Sequence, residues 1–227
     1  MYKYIFIVFM KKTFLTLLFG LSLMLMIGLS SCESCQKTPD VVTTDTVEVV
    51  EPANLHVEYV VSTDRQYMYV NYGGDYRWFE SCITLQDFID DEECDGTVAS
   101  IANVFQVVEE SENGADVHVV LAAHTPDTTA YEVKHGFWVE DEPLNEEAIV
   151  ITFEGAFERM MEANCPKPHS KQCVLRKQVG PVDANPQYIF GNSHAQVYVD
   201  ATTGDVNTDN PVFPEAQGFK MPLGEWP

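Results

Sequence analysis

Cysteine and histidine are the residue types best suited to chemistry in this chain of 227 residues, and six of each are present. Cys165, His169 and Cys173 lie in one short segment that also contains two prolines. Two thiolates and an imidazole suit zinc or copper, but structural zinc sites have four protein ligands and only three are visible here. In an oxidising compartment, a disulfide between the two cysteines is favoured over a metal site.

The other five histidines are scattered along the sequence: His56, His118, His124, His135 and His194. They do not form the His-Glu-x-x-His motif that binds zinc on a helix. Ser193 directly precedes His194, but neighbours on one strand point to opposite faces, so the two do not form a nucleophile and its base. We therefore expect surface or packed imidazoles, and the sequence predicts no catalysis, no cofactor and no metal.

Four oxygen-bearing side chains near the carboxyl end are of a type that calcium accepts: Asp200, Asp205, Asn207 and Asp209. Their spacing does not match the Asp-x-Asp-x-Asp-Gly loop with its terminal Glu. Because Asp and Asn side chains commonly accept hydrogen bonds within turns, we interpret them as turn residues.

Aromatic residues flank Gly73-Gly74 at high density, and they are Tyr67, Tyr69, Tyr72, Tyr76, Trp78 and Phe79. If one face of a hairpin carries them, they form part of the core, which is the favoured interpretation because aromatics dominate sheet packing. The alternative is an exposed platform for a sugar or peptide, with Tyr67, Tyr69 and Trp78 as the candidate ligand-binding residues.

The beginning of the chain carries a processing signal. Lys11 and Lys12 precede an apolar run from Phe14 to Gly28, which Leu29-Ser30-Ser31-Cys32 closes. This arrangement resembles a bacterial lipoprotein signal peptide with its lipobox. The resemblance implies that residues 1–31 are removed, with Met10 as the expected start, and that Cys32 is acylated and anchors the protein to a membrane of the cell envelope. The alternative is a membrane-spanning helix from about residue 5 to residue 28.

The chain is strongly acidic, with a formal net charge of −22 at pH 7. Removing the leader takes away three lysines and no acid, so the charge becomes −25. Such a surface repels phosphate backbones, which makes nucleic-acid binding unexpected. Basic partners, divalent cations or simple solubility are the interpretations that remain.

Five cysteines are left once Cys32 carries lipid. Cys82 lies close to Cys94 in sequence, as Cys165 does to Cys173, so the sequence predicts two local disulfides with Cys35 unpaired. Four cysteines permit three connectivities, and spacing alone does not choose among them. Each short loop would stabilise the fold by about 2 to 3 kcal/mol.

Sequence periodicity predicts a tether at 32–54 and then a β-rich unit at 55–145. Leu55 to Val61 alternates as a half-buried strand does, and Gly73-Gly74 divides two aromatic runs as in a hairpin. Thr84 is suited to begin a short helix with Leu85, Phe88 and Ile89 facing inward. A meander of three strands follows at 104–110, 116–123 and 131–139, in runs rich in β-branched residues.

In the last third, Thr152 is suited to cap a helix in which apolar residues recur at helical spacing, namely Phe153, Ala156, Phe157, Met160 and Met161. Three strands are then predicted at 172–179, 187–190 and 195–199. Within this region, Val197 to Val206 reads Val-Tyr-Val-Asp-Ala-Thr-Thr-Gly-Asp-Val. Together with the preceding helix, this stretch resembles a PepSY domain over about residues 148–207. The chain departs from that family at Gly155 and in the Cys165–Cys173 segment.

The resemblance implies one helix packed across a small antiparallel sheet, as in cystatins. We therefore expect an α+β protein with antiparallel sheets that each carry a packed helix: a β-rich amino-terminal unit and a PepSY-like unit at 146–227 with a proline-rich tail. PepSY domains are associated with the propeptides of secreted metallopeptidases, so the resemblance implies a non-enzymatic binding or peptidase-modulating role. The alternative is a surface lipoprotein that binds a glycan or another small ligand through the aromatic platform.

Overall fold

The computed structural model describes residues 55–111, 114–139 and 141–215. The predicted leader, the predicted acylation site Cys32, the predicted tether and the predicted proline-rich tail after residue 215 lie outside these ranges. The described residues form an α+β architecture with two α-helices and nine strands. Neither helix is long and apolar enough to span a membrane.

Helix α1 spans Val57–Tyr72 and helix α2 spans Phe153–Glu162, with a short 3-10 helix at Glu146–Ala148. The strands in chain order are β1 Tyr76–Leu85, β2 Val98–Ser111, β3 Gly114–His124, β4 Thr129–His135, β5 Asp141–Glu142, β6 Gln172–Gln178, β7 Gln187–Gly191, β8 Gln196–Asp200 and β9 Val206–Asn207. The sheet order is β4-β3-β2-β1-β6-β7-β8-β9, with β5 paired to β6, and every pair is antiparallel.

Helix α1 replaces the predicted strand at Leu55 and the first arm of the predicted hairpin, so both predictions were wrong. The buried residues of α1 are Val57, Val60, Val61, Asp64 and Met68, a spacing of three and four that is helical. The alternation of apolar and polar residues at 55–61 led to the wrong prediction because Tyr59, which would be buried in such a strand, is exposed in the helix. Gly73 ends α1 with a φ of +72°, a conformation that glycine adopts without strain.

The short helix predicted from Thr84 is also absent. Strand β1 continues to Leu85, whose N–H donates to Lys171 O at 2.7 Å, and Gln86 N–H donates to Thr97 O at 2.9 Å. These long-range bonds recruit the segment into the sheet, which outweighs the local capping signal. Leu85 and Ile89 are nevertheless buried, as the sequence predicted.

Elsewhere the local signals were read correctly. The strands predicted at 104–110 and 116–123, and the three strands of the last third, are present. The strand predicted at 131–139 is present as β4, but it ends at His135, four residues earlier than predicted. Thr152 accepts a hydrogen bond from Gly155 N–H at 3.1 Å and caps α2. The buried face of α2 comprises Phe153, Ala156, Phe157 and Met160.

The described residues belong to one compact unit with one sheet. The boundary predicted at residue 145 lies inside that sheet, because β1 pairs with β2 on one side and β6 on the other. Both helices pack into a single core on one face of the sheet. We call this the helix face and its opposite the back face. The structure thus has one sheet where the sequence predicted two units.

Candidate functional site

The three aromatic residues predicted as a platform do not share a surface. Tyr69 is exposed on α1, whereas Tyr67 is half-buried and stacks on Tyr131 of β4 with ring centroids 3.7 Å apart. Trp78 is buried on β1 and donates its indole N–H to Glu80 O at 3.1 Å. A register shift between Trp78 and Glu80 directs Trp78 to the helix face and Glu80 to the back face.

None of the four cysteines in the described ranges forms a disulfide, so neither the Cys82–Cys94 nor the Cys165–Cys173 bond that the sequence predicted is present. Cys82 packs on the back face with Val174 and Ile189, whereas Cys94 belongs to the core of the helix face, so the sheet separates their thiols. Burial raises the pKa of the Cys173 thiol, which keeps it protonated and unreactive. Cys165 is half-buried against the same core.

His169, considered above as a possible metal ligand, is engaged elsewhere. Its Nδ1 lies 2.9 Å from Asp90 Oδ1, and its ring stacks on Phe88 with centroids 4.2 Å apart. These contacts hold His169, which precedes β6, against the loop after β1, so its position does not require a bound metal.

The turn predicted around Asp200 is present. The Asp200 carboxylate accepts hydrogen bonds from the backbone N–H groups of Thr202 and Thr203 at 2.8 and 2.9 Å. Burial alone would raise the pKa of Asp200, but these bonds and those from Asn185 and Gln187 outweigh it and lower the pKa. Asp200 therefore acts as the anchor of the β8–β9 turn.

A buried polar network that sequence reasoning missed connects α1 to three strands. Asp64 of α1 accepts hydrogen bonds from Asn103 Nδ2 at 2.7 Å and from Tyr131 Oη at 2.9 Å, and its Oδ1 lies 2.8 Å from His124 Nε2. His124 Nδ1 in turn lies 3.1 Å from Thr129 Oγ1. We call this the Asp64 network. Asp64, Asn103 and His124 are buried, and the groups of the network bond one another, so we interpret it as a fastening between α1 and the sheet.

A second buried cluster lies on the back face, where Arg176 of β6 pairs with Asp141 of β5 and approaches Glu80 of β1. Trp138 Nε1 also donates to Asp141 Oδ2 at 3.2 Å. Burial raises the pKa of Asp141 to about 7, because the effects of desolvation and of Glu80 exceed the opposing effect of Arg176. The cluster joins β5 to the sheet.

Strand β4 is an open edge of the sheet, because among the described residues it pairs only with β3. Gly136 N–H donates to Val117 O at 3.0 Å. In an antiparallel pair, hydrogen-bonded and non-hydrogen-bonded residue pairs alternate, so this bond determines which residues of β4 bond to β3. The N–H and C=O groups of Tyr131 and Val133 consequently point away from β3. Val133 is exposed, and so are Phe137 and Val139 just beyond the strand, at 70% and 78%. We call β4 with Phe137 and Val139 the β4 edge.

A groove of about 330 Å³ lies on the helix face between α1 and the segment before α2. Trp78, Leu175 and Tyr188 contribute apolar walls. Arg65 of α1 and Glu146 form an ion pair and belong to the same lining. Of the three aromatics predicted as a platform, Trp78 is the one that lines this groove.

Ionisable side chains from three strands meet on the helix face near one end of β4: Glu109, Asp116, His118 and His135. His118 and His135 are 17 positions apart in the sequence and belong to the scattered histidines for which no motif is present. The signal that relates them is alternation combined with strand register, since His118 and His135 are directly opposite in the β3–β4 pair.

No family model, curated protein or solved structure matches this chain significantly.

Proposed function

We propose that this protein is a non-enzymatic lipoprotein of the bacterial cell envelope that binds an extended segment of a partner protein along the β4 edge. The observation that carries the proposal is the outward direction of the backbone N–H and C=O groups of Tyr131 and Val133, which the described part of the chain leaves unpaired. Strand addition to such an edge supplies affinity through main-chain hydrogen bonds, and adjacent side chains supply specificity.

Side chains around the β4 edge suit this role. Exposed sheet edges are normally shortened or protected in proteins, but β4 is seven residues long. Val133, Phe137 and Val139 offer exposed apolar contacts beside it. The net charge of −22 favours a basic partner segment and steers it to the surface.

Location and partner class rest on sequence resemblance. Leu29 to Cys32 supports acylation and envelope anchoring, and the Val197 to Val206 stretch supports a PepSY-like role in binding or modulating a peptidase. The helix α2 packed on antiparallel strands is compatible with such a domain. Loss of a fatty-acid label when Cys32 is replaced by Ala would support the anchor, and retention of that label would exclude it.

A proline substitution tests the edge directly. In Val133→Pro the lost N–H points away from β3, so the β3–β4 ladder keeps its hydrogen bonds while the ring obstructs an added strand. We expect binding of the purified chain to envelope peptidases and to basic peptides from them to be lost in this variant. Val133→Ala, which retains the N–H, is the matched control and should keep most of the binding.

The outcome is judged by fluorescence anisotropy and peptidase inhibition, with melting curves for both variants. Equal binding by Val133→Pro and wild type would contradict strand addition at β4. Failure of the wild type to bind any of these peptidases or peptides would contradict the proposal as a whole.

A second candidate function is favoured by the groove that Trp78 lines. Its volume of about 330 Å³ is within the range of small-ligand sites, and it combines apolar walls with a few charged groups. In this case a glycan or other small ligand would change Trp78 fluorescence, and Trp78→Phe, measured well below its own lowered melting temperature, would weaken ligand binding. Ligand binding that is indifferent to Trp78→Phe would exclude the groove.

A further inference from the structure

The ionisable side chains near the end of β4 form a cluster with defined register. Asp116 and His118 are two residues apart on β3 and therefore point to the same face. His135 of β4 is directly opposite His118, and Glu109 of β2 is directly opposite Asp116. We call these four residues the histidine cluster.

The hydrogen bond from Gly136 to Val117 makes His118 and His135 a non-hydrogen-bonded pair. In such pairs the Cα atoms are about 4.5 Å apart and the side chains lie closer than in the alternate pairs. The two imidazole rings accordingly have centroids 4.8 Å apart. The backbone therefore fixes the proximity of the two rings.

Distances within the cluster suit a shared cation. His118 Nε2 lies 3.5 Å from Asp116 Oδ2 and 3.6 Å from Glu109 Oε2, and His135 Nδ1 lies 3.7 Å from Asp116 Oδ1. These separations exceed the 2.7 to 3.2 Å range of ordinary hydrogen bonds. They approach the ligand-to-ligand distance of about 3.3 Å that follows from tetrahedral zinc with bonds of about 2.0 to 2.1 Å.

The environment is also favourable to a cation. Two of the four side chains are carboxylates, and the chain as a whole is acidic. His118 is only 12% exposed, and its other ring nitrogen, Nδ1, is buried without a hydrogen-bond partner among the described residues. Nε2 is thus the nitrogen of His118 that is directed to the carboxylates.

We propose that Asp116, His118 and His135 bind a divalent transition metal, with zinc as the best fit and Glu109 as the fourth ligand. Imidazole and carboxylate groups are suitable ligands for zinc, and the three primary ligand atoms lie within 4.8 Å of one another. The bound ion joins β2, β3 and β4 at the end of the open edge. This site does not depend on strand addition at β4, so either proposal can fail alone.

The test is zinc titration of the full chain by calorimetry, after accessible thiols have been blocked with N-ethylmaleimide so that cysteines do not compete. We expect one zinc ion per chain and a higher melting temperature with zinc. His135→Ala and Asp116→Asn should each weaken zinc binding at least about 10-fold. Replacing residues that only hydrogen-bond to metal ligands already lowers metal affinity by about this factor, and loss of a ligand should cost no less.

His194→Ala is the matched control, because His194 is an exposed histidine of the β7–β8 turn outside the cluster. His135 is 82% exposed, so its replacement should leave the melting temperature without zinc unchanged. Absence of zinc uptake by the wild-type chain would overturn the proposal. It would equally be overturned if His135→Ala bound zinc as tightly as wild type, or if His194→Ala lost as much affinity.

Discussion

Replacement of Asp64 by Ala should detach α1 from the sheet, because this one carboxylate joins the helix to three strands. It accepts hydrogen bonds from Asn103 of β2 and Tyr131 of β4, and it pairs with His124 of β3. Asp64 itself is fully buried, and so is Asn103. Truncation leaves these partners in the interior without their acceptor.

The expected loss follows from that geometry. An unsatisfied buried donor costs about 1 to 3 kcal/mol, and Asp64→Ala removes the shared acceptor of Asn103 and Tyr131 together with the partner of His124. These costs are not additive, because the partners share one acceptor and relax together. We therefore expect Asp64→Ala to lower the free energy of unfolding by about 3 kcal/mol.

Urea unfolding, followed by far-ultraviolet circular dichroism and tryptophan fluorescence, measures this loss. Thr63→Ala is the matched control: Thr63 is the exposed neighbour on the same helix, and its hydroxyl bonds only Tyr59 O within α1. Its replacement should change stability by less than about 0.5 kcal/mol. A loss below about 1 kcal/mol in Asp64→Ala would refute the fastening role.

Two further predictions concern pH and backbone strain. Burial raises the pKa of Asp141 to about 7, so between about pH 4 and pH 7 the folded chain retains a proton that the unfolded chain releases. The contribution of Asp141 to the free energy of unfolding therefore falls as pH rises, by up to about 1.4 kcal/mol per pH unit. We expect Asp141→Asn to remove this pH dependence. Denaturant titrations at several pH values that show the same pH dependence in this variant as in the wild type would contradict the prediction. Gly204 has a φ of +80°, and a Cβ added there would lie 2.6 Å from Arg159 Cζ, so Gly204→Ala should cost at least about 1 to 2 kcal/mol from strain and crowding together. Gly74→Ala, where the added Cβ meets nothing within 4 Å, should cost less, and equal losses in thermal melts would argue against both effects at Gly204.

Strong local signals made part of the fold predictable. Helix α2 was found because Thr152 caps it and its apolar residues recur at helical spacing. Strands β2 and β3 were found because their β-branched runs suit a pleated sheet. In each case the residues that decide the element lie within it, so no distant contact was needed.

Helix α1 shows why other parts were not predictable. Its β-branched and aromatic residues favour a strand locally, and its buried positions include Asp64. Because one of the buried positions of α1 is an aspartate, the apolar residues alone do not show the helical periodicity of its buried face. The distant partners on β2, β3 and β4 satisfy Asp64 and so stabilise the helix against its local preference.

The sequence by itself determined the acidic charge, the resemblance to a lipoprotein leader, and the elements whose signals are local. Only the tertiary structure decided that the strands of both predicted units belong to one sheet. It also decided that Cys82 and Cys94 lie on opposite faces of that sheet and that His118 is opposite His135. The physical reason is strand register. A shift of one residue in pairing exchanges the two faces of a strand, and that choice depends on contacts summed across the sheet.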